Sequence, residues 1–387
     1  MLASRLAGFG TTIFAEMSAL AERTGAINLG QGFPDTDGPD VVKQTAVDAI
    51  RAGENQYAPG AGIPELRHAV AEHQQRFYGL DVDAEREVLV TTGATEAIAA
   101  ALLALCEPGD EVVTFEPYYD SYAACISMAG ATRRVVTLRP PGERRNAYAF
   151  DIDELAGVIG PRTRMLLLNS PHNPTGKVFS DDELAAIARL CVEHDLLVVT
   201  DEVYEHLVFD GAHRPIASFR GMQDRTVTIS SGGKTFSFTG WKVGWVCAAP
   251  ELVSAVRTAK QFLTYVSPAP FQRAIAVGLR LGDDYYRAFT RDLRSKRDLL
   301  VAGLAEAGFE VFSPAGTYFV TADVRSLGES DGIAFCQALP ERCGVVAVPN
   351  AVFYDDIEAG RSLVRFTFCK RREVLDEAVT RLKALAR

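Results

Sequence analysis

Between about residues 85 and 250, short apolar runs rich in β-branched residues alternate with segments of helical pattern. The apolar runs occupy residues 87–92, 111–115, 165–169, 196–200, 226–229 and 243–248, and the helical patterns occupy residues 96–105, 119–129 and 181–194. Strands that are apolar along nearly their whole length are typical of sheets covered on both faces, and the intervening helices supply the crossovers that parallel strands need. The pattern therefore predicts an α/β fold with a mainly parallel sheet flanked by helices.

The pattern changes after residue 250. A helix from about residue 251 and a long charged helix at 283–307 are followed by strand-like runs at 309–312, 318–324 and 364–368 and a closing helix from 371. This mixture predicts a second, smaller α+β domain, to which we also assign the N-terminal segment. The expected division is a large domain of residues 38–280 and a small domain of residues 1–37 and 281–387.

The amino-acid composition indicates which kinds of molecule this protein binds. The chain has 50 acidic and 40 basic residues, a formal charge of −10, and no dense stripe of lysine and arginine, which argues against a nucleic-acid-binding protein. No run approaches the roughly 20 apolar residues that span a bilayer. We therefore expect small-molecule substrates and a cytoplasmic location.

The seven cysteines are odd in number, scattered and without C-x-x-C spacing. This arrangement argues against a disulfide framework and against a zinc site. We expect most of them to be small buried residues.

Two charged residues follow apolar runs, and ligands of open parallel sheets bind beyond the carboxyl ends of the strands. Lys234 comes after the run at 226–229, among small residues that solvate an amine poorly, and poor solvation lowers a lysine pKa toward the nucleophilic range. Asp201 ends the run at 196–200, where a carboxylate needs a cationic or donor partner such as a protonated pyridine nitrogen. The alternatives are a solvated surface lysine and a helix-capping aspartate.

An anion site is a third candidate. Gly93, Ala94 and Thr95 stand where the first apolar run gives way to a helix, and free N–H groups at a helix N-terminus bind phosphate. Ser231 and Lys242 could reach the same anion. The alternative is an ordinary helix start capped by Thr95.

A turn-dense segment at 169–176 and an arginine within an apolar strand complete the candidates. Its two prolines fix the backbone, so that the side-chain amides of Asn169 and Asn173 are held rigidly as hydrogen-bonding groups, and the alternative is that the segment is only a tight turn. We expect His172 in this segment to be a hydrogen-bonded loop residue rather than a metal ligand. A guanidinium within an apolar strand, such as that of Arg365, needs an anionic partner. Its planar guanidinium group suits a carboxylate that it can bind through two hydrogen bonds, and the alternative is an internal ion pair with an Asp or Glu.

These motifs, in this order and over nearly the whole length, resemble the fold-type I, pyridoxal-phosphate-dependent aminotransferases, in the class I branch that includes kynurenine and glutamine aminotransferases. They are NLGQGFPD at 28–35, NQY at 55–57, EPYY at 116–119, NPTG at 173–176, DEVY at 201–204, SGGKTF at 231–236, GWKVG at 240–244 and RF at 365–366. The sequence is most similar to the bacterial N-succinyldiaminopimelate aminotransferases, in residues 14–20, 201–210 and 364–370.

The resemblance implies a role for each cofactor residue. Lys234 would carry pyridoxal 5′-phosphate as a Schiff base and then, as the free amine, move a proton between substrate Cα and cofactor C4′. Asp201 would keep the pyridine nitrogen protonated. The phosphate would be bound by Ala94, Thr95, Ser231 and Lys242, and Gly93 would also contact the cofactor. Tyr204 and Asn173 would form hydrogen bonds with the phenolic oxygen, and Tyr119 would stack on the ring. A homodimer is also implied, in which Tyr57 completes the site of the partner subunit.

The resemblance implies the substrate contacts as well. Arg365, with Gly32 and Asn169 or Asn173 close by, would clamp the α-carboxylate and so select which Cα bond breaks. Phe14 would stand near the substrate side chain. Kynurenine-type enzymes usually have Phe at position 119, Tyr at 95 and Trp at 14, and these three departures weaken a transfer of their specificity to this chain.

The implied reaction is transfer of an amino group from an L-amino acid, glutamate in our hypothesis, to a 2-oxo acid. N-succinyl-2-amino-6-oxopimelate is the favoured acceptor, although the sequence identifies no second cation for its succinyl carboxylate. The alternatives are a broad-specificity kynurenine, glutamine or methionine type, or a cysteine-conjugate C–S β-lyase. A further alternative, a cofactor-sensing regulator without activity, is disfavoured because the lysine, aspartate, tyrosine and arginine set is retained. Such regulators usually join this fold to a DNA-binding region, and because the fold motifs begin by residue 28 we expect none here.

Overall fold

The computed structural model describes residues 3–142 and 146–386, which contain thirteen strands and thirteen α-helices. The strands are β1 (Ile27–Asn28), β2 (Val88–Thr91), β3 (Glu111–Glu116), β4 (Thr132–Thr137), β5 (Thr163–Asn169), β6 (Leu197–Asp201), β7 (Thr226–Ser231), β8 (Gly244–Cys247), β9 (Glu310–Phe312), β10 (Phe319–Asp323), β11 (Val345–Val346), β12 (Val348–Pro349) and β13 (Leu363–Thr367). The helices are α1 (Ile13–Thr24), α2 (Asp40–Arg51), α3 (Pro64–Tyr78), α4 (Gly93–Leu105), α5 (Asp120–Met128), α6 (Ile152–Val158), α7 (Asp181–Glu193), α8 (Gly232–Thr235), α9 (Pro250–Lys260), α10 (Ala269–Leu279), α11 (Asp283–Glu306), α12 (Gly332–Cys343) and α13 (Arg372–Leu382).

A seven-stranded sheet with the order β2-β8-β7-β6-β5-β3-β4 forms the centre of the molecule. Only β8 runs antiparallel to its neighbours β2 and β7, and the pairs from β7 to β4 are parallel. Every residue of β2, β3, β7 and β8 is buried, as expected of strands covered on both faces. The structure therefore confirms the predicted α/β fold with a mainly parallel sheet.

The sheet register brings the candidate site residues to one edge. Asn169 at the end of β5 pairs with Asp201 at the end of β6, and Asp201 pairs with Ile229 near the end of β7. β7 continues to Ser231, where α8 begins. Because parallel strands end at the same edge, residues that are far apart in sequence become neighbours there.

A smaller antiparallel sheet has the order β12-β13-β10-β9, and the predicted strand runs at 309–312, 318–324 and 364–368 correspond to β9, β10 and β13. The N-terminal segment contacts this region, because Ile27 of β1 pairs with Val345 of β11, and Met17 of α1 shares a hydrophobic core with Leu300 of α11. The division into domains 38–280 and 1–37 plus 281–387 stays a prediction.

The cysteines have the expected environment. All seven are free; six are buried and Cys343 is partly exposed. Among the described residues, no helix is both long and apolar enough to cross a membrane.

Candidate active site

A cavity of about 390 Å³ lies beyond the carboxyl ends of β5, β6 and β7, against β10 and β13 of the smaller sheet. Fourteen of the fifteen residues predicted for the site line it: Phe14, Gly32, Gly93, Ala94, Thr95, Tyr119, Asn169, Asn173, Asp201, Tyr204, Ser231, Lys234, Lys242 and Arg365. The fifteenth, Tyr57, does not line it. Residues from position 14 to position 365 of the chain therefore line a single cavity.

Lys234 lies on the single turn of α8, directly after β7, so the expected strand-end loop is a short helix. The amine donates a hydrogen bond to the hydroxyl of Tyr318 at 3.0 Å and stands 5.7 Å from the ring centroid of Tyr204. Protein atoms surround the amine closely, and this burial lowers the pKa of Lys234 to about 8. The expected poor solvation is confirmed, and a substantial fraction of the amine is neutral near physiological pH.

Asp201 is buried at the end of β6 and is not a helix cap, because turns follow it rather than an α-helix. One carboxylate oxygen accepts a hydrogen bond from the hydroxyl of Tyr122 at 2.7 Å, and the other accepts one from the backbone N–H of Val203 at 3.3 Å. Burial raises the pKa of Asp201, although the bond from Tyr122 opposes that shift. A cation in the cavity would favour the ionised carboxylate.

The N-terminus of α4 faces the same cavity. Thr95 lies within its first turn and Thr92 precedes the helix, so the alternative in which Thr95 caps an ordinary helix is wrong. The first backbone N–H groups of a helix have no partner within the helix and carry the positive end of its dipole. Together with Ser231 and Lys242, which also line the cavity, they form a cradle suited to a phosphate dianion.

Gly93 and Gly244 let backbone and side chains pack closely around this cradle. A Cβ added at Gly244 would stand 2.7 Å from the carbonyl carbon of Gly93 and 2.9 Å from the nitrogen of Ala94. A Cβ at Gly93, whose φ is +77°, would stand 3.0 Å from the amine of Lys242. The start of α4 therefore keeps its place only with glycine in β8.

We expect the Gly244→Ala substitution to weaken binding of pyridoxal 5′-phosphate, the cofactor that the sequence resemblance implies, about 10- to 100-fold, because the first turn of α4 must shift by several tenths of an ångström. Gly240→Ala is the matched control, since a Cβ at Gly240 meets nothing within 4 Å. The dissociation constants are measured by absorbance titration of cofactor-stripped protein. Equal affinities of the two variants would show that the start of α4 does not hold the phosphate.

Arg365 of β13 is 1% exposed and has no carboxylate partner among the described residues, so the alternative of an internal ion pair is wrong. One terminal nitrogen donates to the side-chain oxygen of Asn173 at 2.9 Å, and the other donates to the carbonyl oxygen of Gly30 at 2.9 Å. The Nε atom is buried without a partner. Burial lowers the pKa of Arg365 to about 10, which leaves the guanidinium charged at neutral pH.

The two asparagines form a scaffold beside this arginine. Asn169 donates to the carbonyl oxygen of Asp201 at 2.8 Å and accepts from the backbone N–H of Asn173 at 2.7 Å. His172, between them, forms a hydrogen bond with the hydroxyl of Thr175 at 2.9 Å, and burial lowers the pKa of His172 to about 3. The prediction that His172 is a hydrogen-bonded loop residue is confirmed.

Aromatic rings line the outer part of the cavity. Phe14 stacks on Phe353 with a centroid distance of 5.9 Å, and its ring lies 5.1 Å from the guanidinium carbon of Arg365. Tyr119 stands immediately before α5 and contacts the ring edge of Tyr122 at 5.7 Å. The ring of Phe14 thus lies beside the guanidinium of Arg365, and both side chains line the cavity.

Sequence reasoning missed Tyr122 and Tyr318. Tyr122 follows Tyr119 by three residues at the start of a helix, and this spacing, which places two side chains on one face, could have identified it. Tyr318 stands within an apolar run, and its only sequence signal is a polar hydroxyl in that run.

Tyr57 has a different environment. Its side chain is 81% exposed and contacts the edge of Tyr265 at a centroid distance of 5.3 Å. Phe262, three residues before Tyr265 in the sequence, is 83% exposed. The role of Tyr57 in the site of a second subunit stays a prediction.

The fold and this cavity, which combines a partly buried lysine, a buried carboxylate and a helix N-terminus, are those of an aminotransferase. The chain belongs to the family described as aminotransferase class I and II, whose model matches residues 24–382. It is thereby a pyridoxal-phosphate-dependent transaminase of fold type I, which confirms the predicted family, enzyme class and cofactor.

The relatives include enzymes with different named substrates. A Mycobacterium tuberculosis protein named probable N-succinyldiaminopimelate aminotransferase DapC is 55% identical over 395 residues, which cover 100% of this chain and 99% of the relative. The methionine aminotransferase of Escherichia coli is 41% identical over 384 residues, which cover 99% and 98%. A solved structure of N-succinyldiaminopimelate aminotransferase from Mycobacterium tuberculosis has a TM-score of 0.97 and 55% identity and matches 100% of both chains.

Proposed function

We propose that this enzyme moves an amino group between glutamate and N-succinyl-2-amino-6-oxopimelate, forming 2-oxoglutarate and N-succinyl-LL-2,6-diaminopimelate. The observation that carries the proposal is the buried guanidinium of Arg365, which lacks a protein carboxylate among the described residues and shares its cavity with Lys234 and Asp201. An amino-acid donor and a 2-oxo acid acceptor both bring a carboxylate to that fork. The 55% identity to the mycobacterial relative supports the succinylated substrate.

The cavity fits pyridoxal 5′-phosphate on several counts. The N-terminus of α4, Ser231 and Lys242 would hold the phosphate, and Asp201, oriented by Tyr122, would pair with the protonated pyridine nitrogen. Tyr119 would cover the ring. The side-chain oxygen of Asn173 already accepts a hydrogen bond from Arg365, so the amide N–H of Asn173 remains free to donate to the phenolic oxygen of the cofactor. The hydroxyl of Tyr204 would donate to the same oxygen.

When bound, pyridoxal phosphate supplies an electron sink for the charge that develops on the substrate Cα. The residues of this chain orient the substrate and move the proton. Arg365 fixes the α-carboxylate and thereby the Cα bond that breaks. Lys234, with its pKa lowered to about 8, takes that proton as a neutral amine, so its fraction active as a base rises as the pH increases toward 8.

A second candidate function is a broad-specificity transaminase of the methionine type. The observation that favours it is the lining of the cavity, in which Phe14, Phe33 and Tyr119 provide apolar surface. The lining residues include three lysines or arginines, namely Lys234, Lys242 and Arg365, and each already has a proposed task. Among the described lining residues there is then no further cation for a succinyl carboxylate.

A homodimer would add residues to the cavity. We propose that the exposed surface around Tyr57 and Tyr265 meets a second copy of the chain and that Tyr57 completes the partner's phosphate site. Exposed aromatic side chains of this kind are typical of interfaces. A cytoplasmic location remains part of this hypothesis.

A donor screen with 2-oxoglutarate as the acceptor tests the substrate. We expect kcat/KM for N-succinyl-LL-2,6-diaminopimelate to exceed the values for methionine, kynurenine and glutamine by about 10-fold or more, a ratio that requires about 1.4 kcal/mol of additional transition-state binding from contacts to the longer succinylated side chain. Higher kcat/KM for methionine would replace the proposal by the second candidate. Release of pyruvate and ammonia from a cysteine conjugate without any 2-oxo acid would instead identify C–S β-lyase activity.

A further inference from the structure

Tyr318 joins the active-site lysine to the segment that borders the substrate site. Its side chain is 1% exposed, and its hydroxyl accepts a hydrogen bond from the amine of Lys234 at 3.0 Å. The same hydroxyl donates to the carbonyl oxygen of Gly32 at 2.5 Å. A phenol has one proton, and because Gly32 offers only an acceptor, that proton is committed to Gly32. The side of the hydroxyl that faces Lys234 is therefore an acceptor.

The backbone around Tyr318 is held firmly. Thr317, just before it, has a φ of +67°, a left-handed conformation that is costly for a β-branched residue. Its N–H donates to the carbonyl oxygen of Leu207 at 2.8 Å, and the carbonyl oxygen of Tyr318 accepts from the hydroxyl of Thr367 at 3.1 Å and from the N–H of Phe368 at 2.9 Å. A strained backbone fixed by this many contacts sets the position of the phenol.

The segment at 30–33 is linked by hydrogen bonds to two cations of the cavity, one from the smaller sheet and one directly after a strand of the central sheet. Arg365 donates to the carbonyl oxygen of Gly30 at 2.9 Å, and Lys234 reaches Gly32 through Tyr318. Gly32 also packs tightly, because a Cβ there would stand 2.5 Å from the ring of Phe319. A change in this segment on substrate binding would reach the carboxylate clamp and the lysine together.

We propose that Tyr318 is a positioning residue, which holds the free amine of Lys234 in the cavity, favours its ammonium form and links it to the carboxylate-binding segment at Gly30 and Gly32. This inference rests on the proposed function, in which Lys234 acts as the free amine. A hydrogen-bond acceptor at the amine stabilises its charged form. Removing the phenol oxygen therefore lowers the pKa of the amine and leaves the aromatic packing in place.

Other groups act on the same amine and remain in the variant. Asp201 and Cys369 raise the pKa of Lys234, and Lys242 and Arg365 lower it. The rings of Tyr204 and Tyr318 also face the amine, at 5.7 and 5.6 Å. A comparison of the wild-type protein with the Tyr318→Phe variant changes only the hydroxyl in this set.

The test measures covalent capture of pyridoxal 5′-phosphate by cofactor-stripped full-length protein, by stopped-flow absorbance between pH 6 and 10. In capture the neutral amine of Lys234 adds to the aldehyde carbon, a C=N bond forms and water leaves, so the rate follows the neutral fraction of the amine. For Tyr318→Phe we expect the inflection to move down by about one pH unit, which raises the relative rate below that pH about 10-fold. Damage to the site without a change in pKa would lower the rate at every pH and leave the inflection where it was.

Tyr286→Phe is the matched control, because Tyr286 is also a buried phenol that donates to a backbone carbonyl, that of Leu279 at 3.1 Å, and it does not line the cavity. We expect no shift in this variant. If Tyr318→Phe does not fold, as judged by circular dichroism, 3-fluorotyrosine at position 318 keeps the hydroxyl as a weaker acceptor, and the inflection should move down by a smaller amount. An unchanged or higher inflection in the folded Tyr318 variant would overturn the proposal. Failure of the wild-type protein to capture the cofactor would instead overturn the proposed function.

Discussion

Replacing Lys234 by alanine is expected to lower the transamination rate by about 10⁴-fold or more and to leave the cofactor bound only noncovalently. The expected loss is large because, in the proposed function, the amine is both the covalent attachment point and the base, and positioned acid–base catalysis alone contributes about 10²- to 10⁴-fold. Steady-state turnover with glutamate measures the rate. Reduction with borohydride followed by peptide mapping measures the covalent bond, which should be found on Lys234 of the wild-type protein and be absent from the variant.

A suitable control is Lys296→Ala, since Lys296 forms an ion pair with Asp292 on α11 at 2.7 Å and does not line the cavity. This variant should keep wild-type turnover and covalent labelling. Reduced cofactor attached to Lys242 in the wild-type protein would contradict the assignment of Lys234. A visible absorbance band of covalently bound cofactor in Lys234→Ala would contradict it as well.

The central sheet was predictable because its strands are apolar along most of their length, a pattern that burial on both faces requires. The residues after these strands could be assigned to one site for the same reason, since the ends of parallel strands share an edge. Asp201 and Lys234 could thus be identified both from their positions after predicted strands and from the chemistry of their side chains. β4 was missed because it is an edge strand in which Arg133 and Arg134 break the apolar run.

Contacts between segments far apart in sequence were not predictable from periodicity. The partner of Lys234 is Tyr318, 84 residues later, and the partner of Asp201 is Tyr122, 79 residues earlier. The first pair depends on how the segment before β10 packs against the central sheet, and the second depends on how α5 packs against that sheet. The antiparallel direction of β8 was also hidden, because a strand's apolar pattern is the same in either direction.

The alternatives for Arg365 could be separated only by its surroundings. A guanidinium in an apolar strand looks the same in sequence whether it pairs with a protein carboxylate or awaits a ligand. Here its neighbours are the neutral oxygens of Asn173 and Gly30 and the ring of Phe319 at 3.9 Å. None of these neutralises the charge, so a buried cation remains available for an anionic ligand.

Arg365→Ala is expected to lower kcat/KM for every amino-acid donor by about 10²- to 10³-fold, largely through KM. Losing a desolvated charge pair costs about 2–5 kcal/mol, and all donors share the α-carboxylate that we propose Arg365 binds. Arg365→Lys should recover only part of the loss, because an ammonium cannot bind both carboxylate oxygens as a planar fork does. Initial rates with glutamate, methionine and kynurenine measure the effect.

A carboxylate-free analogue provides the decisive comparison, because it separates loss of the clamp from general damage to a buried site. In the wild-type enzyme, kcat/KM for methionine should greatly exceed kcat/KM for 3-(methylthio)propylamine, which has the same side chain and no carboxylate. In Arg365→Ala this ratio should fall by the same factor of about 10²–10³, since the analogue never used the arginine. Equal losses for both compounds would indicate a structural role, and a loss confined to one amino acid would make Arg365 a reader of the side chain. Only a reduced ratio, common to all amino acids, fits a guanidinium whose Nε is buried without a partner and whose terminal nitrogens donate only to neutral oxygens.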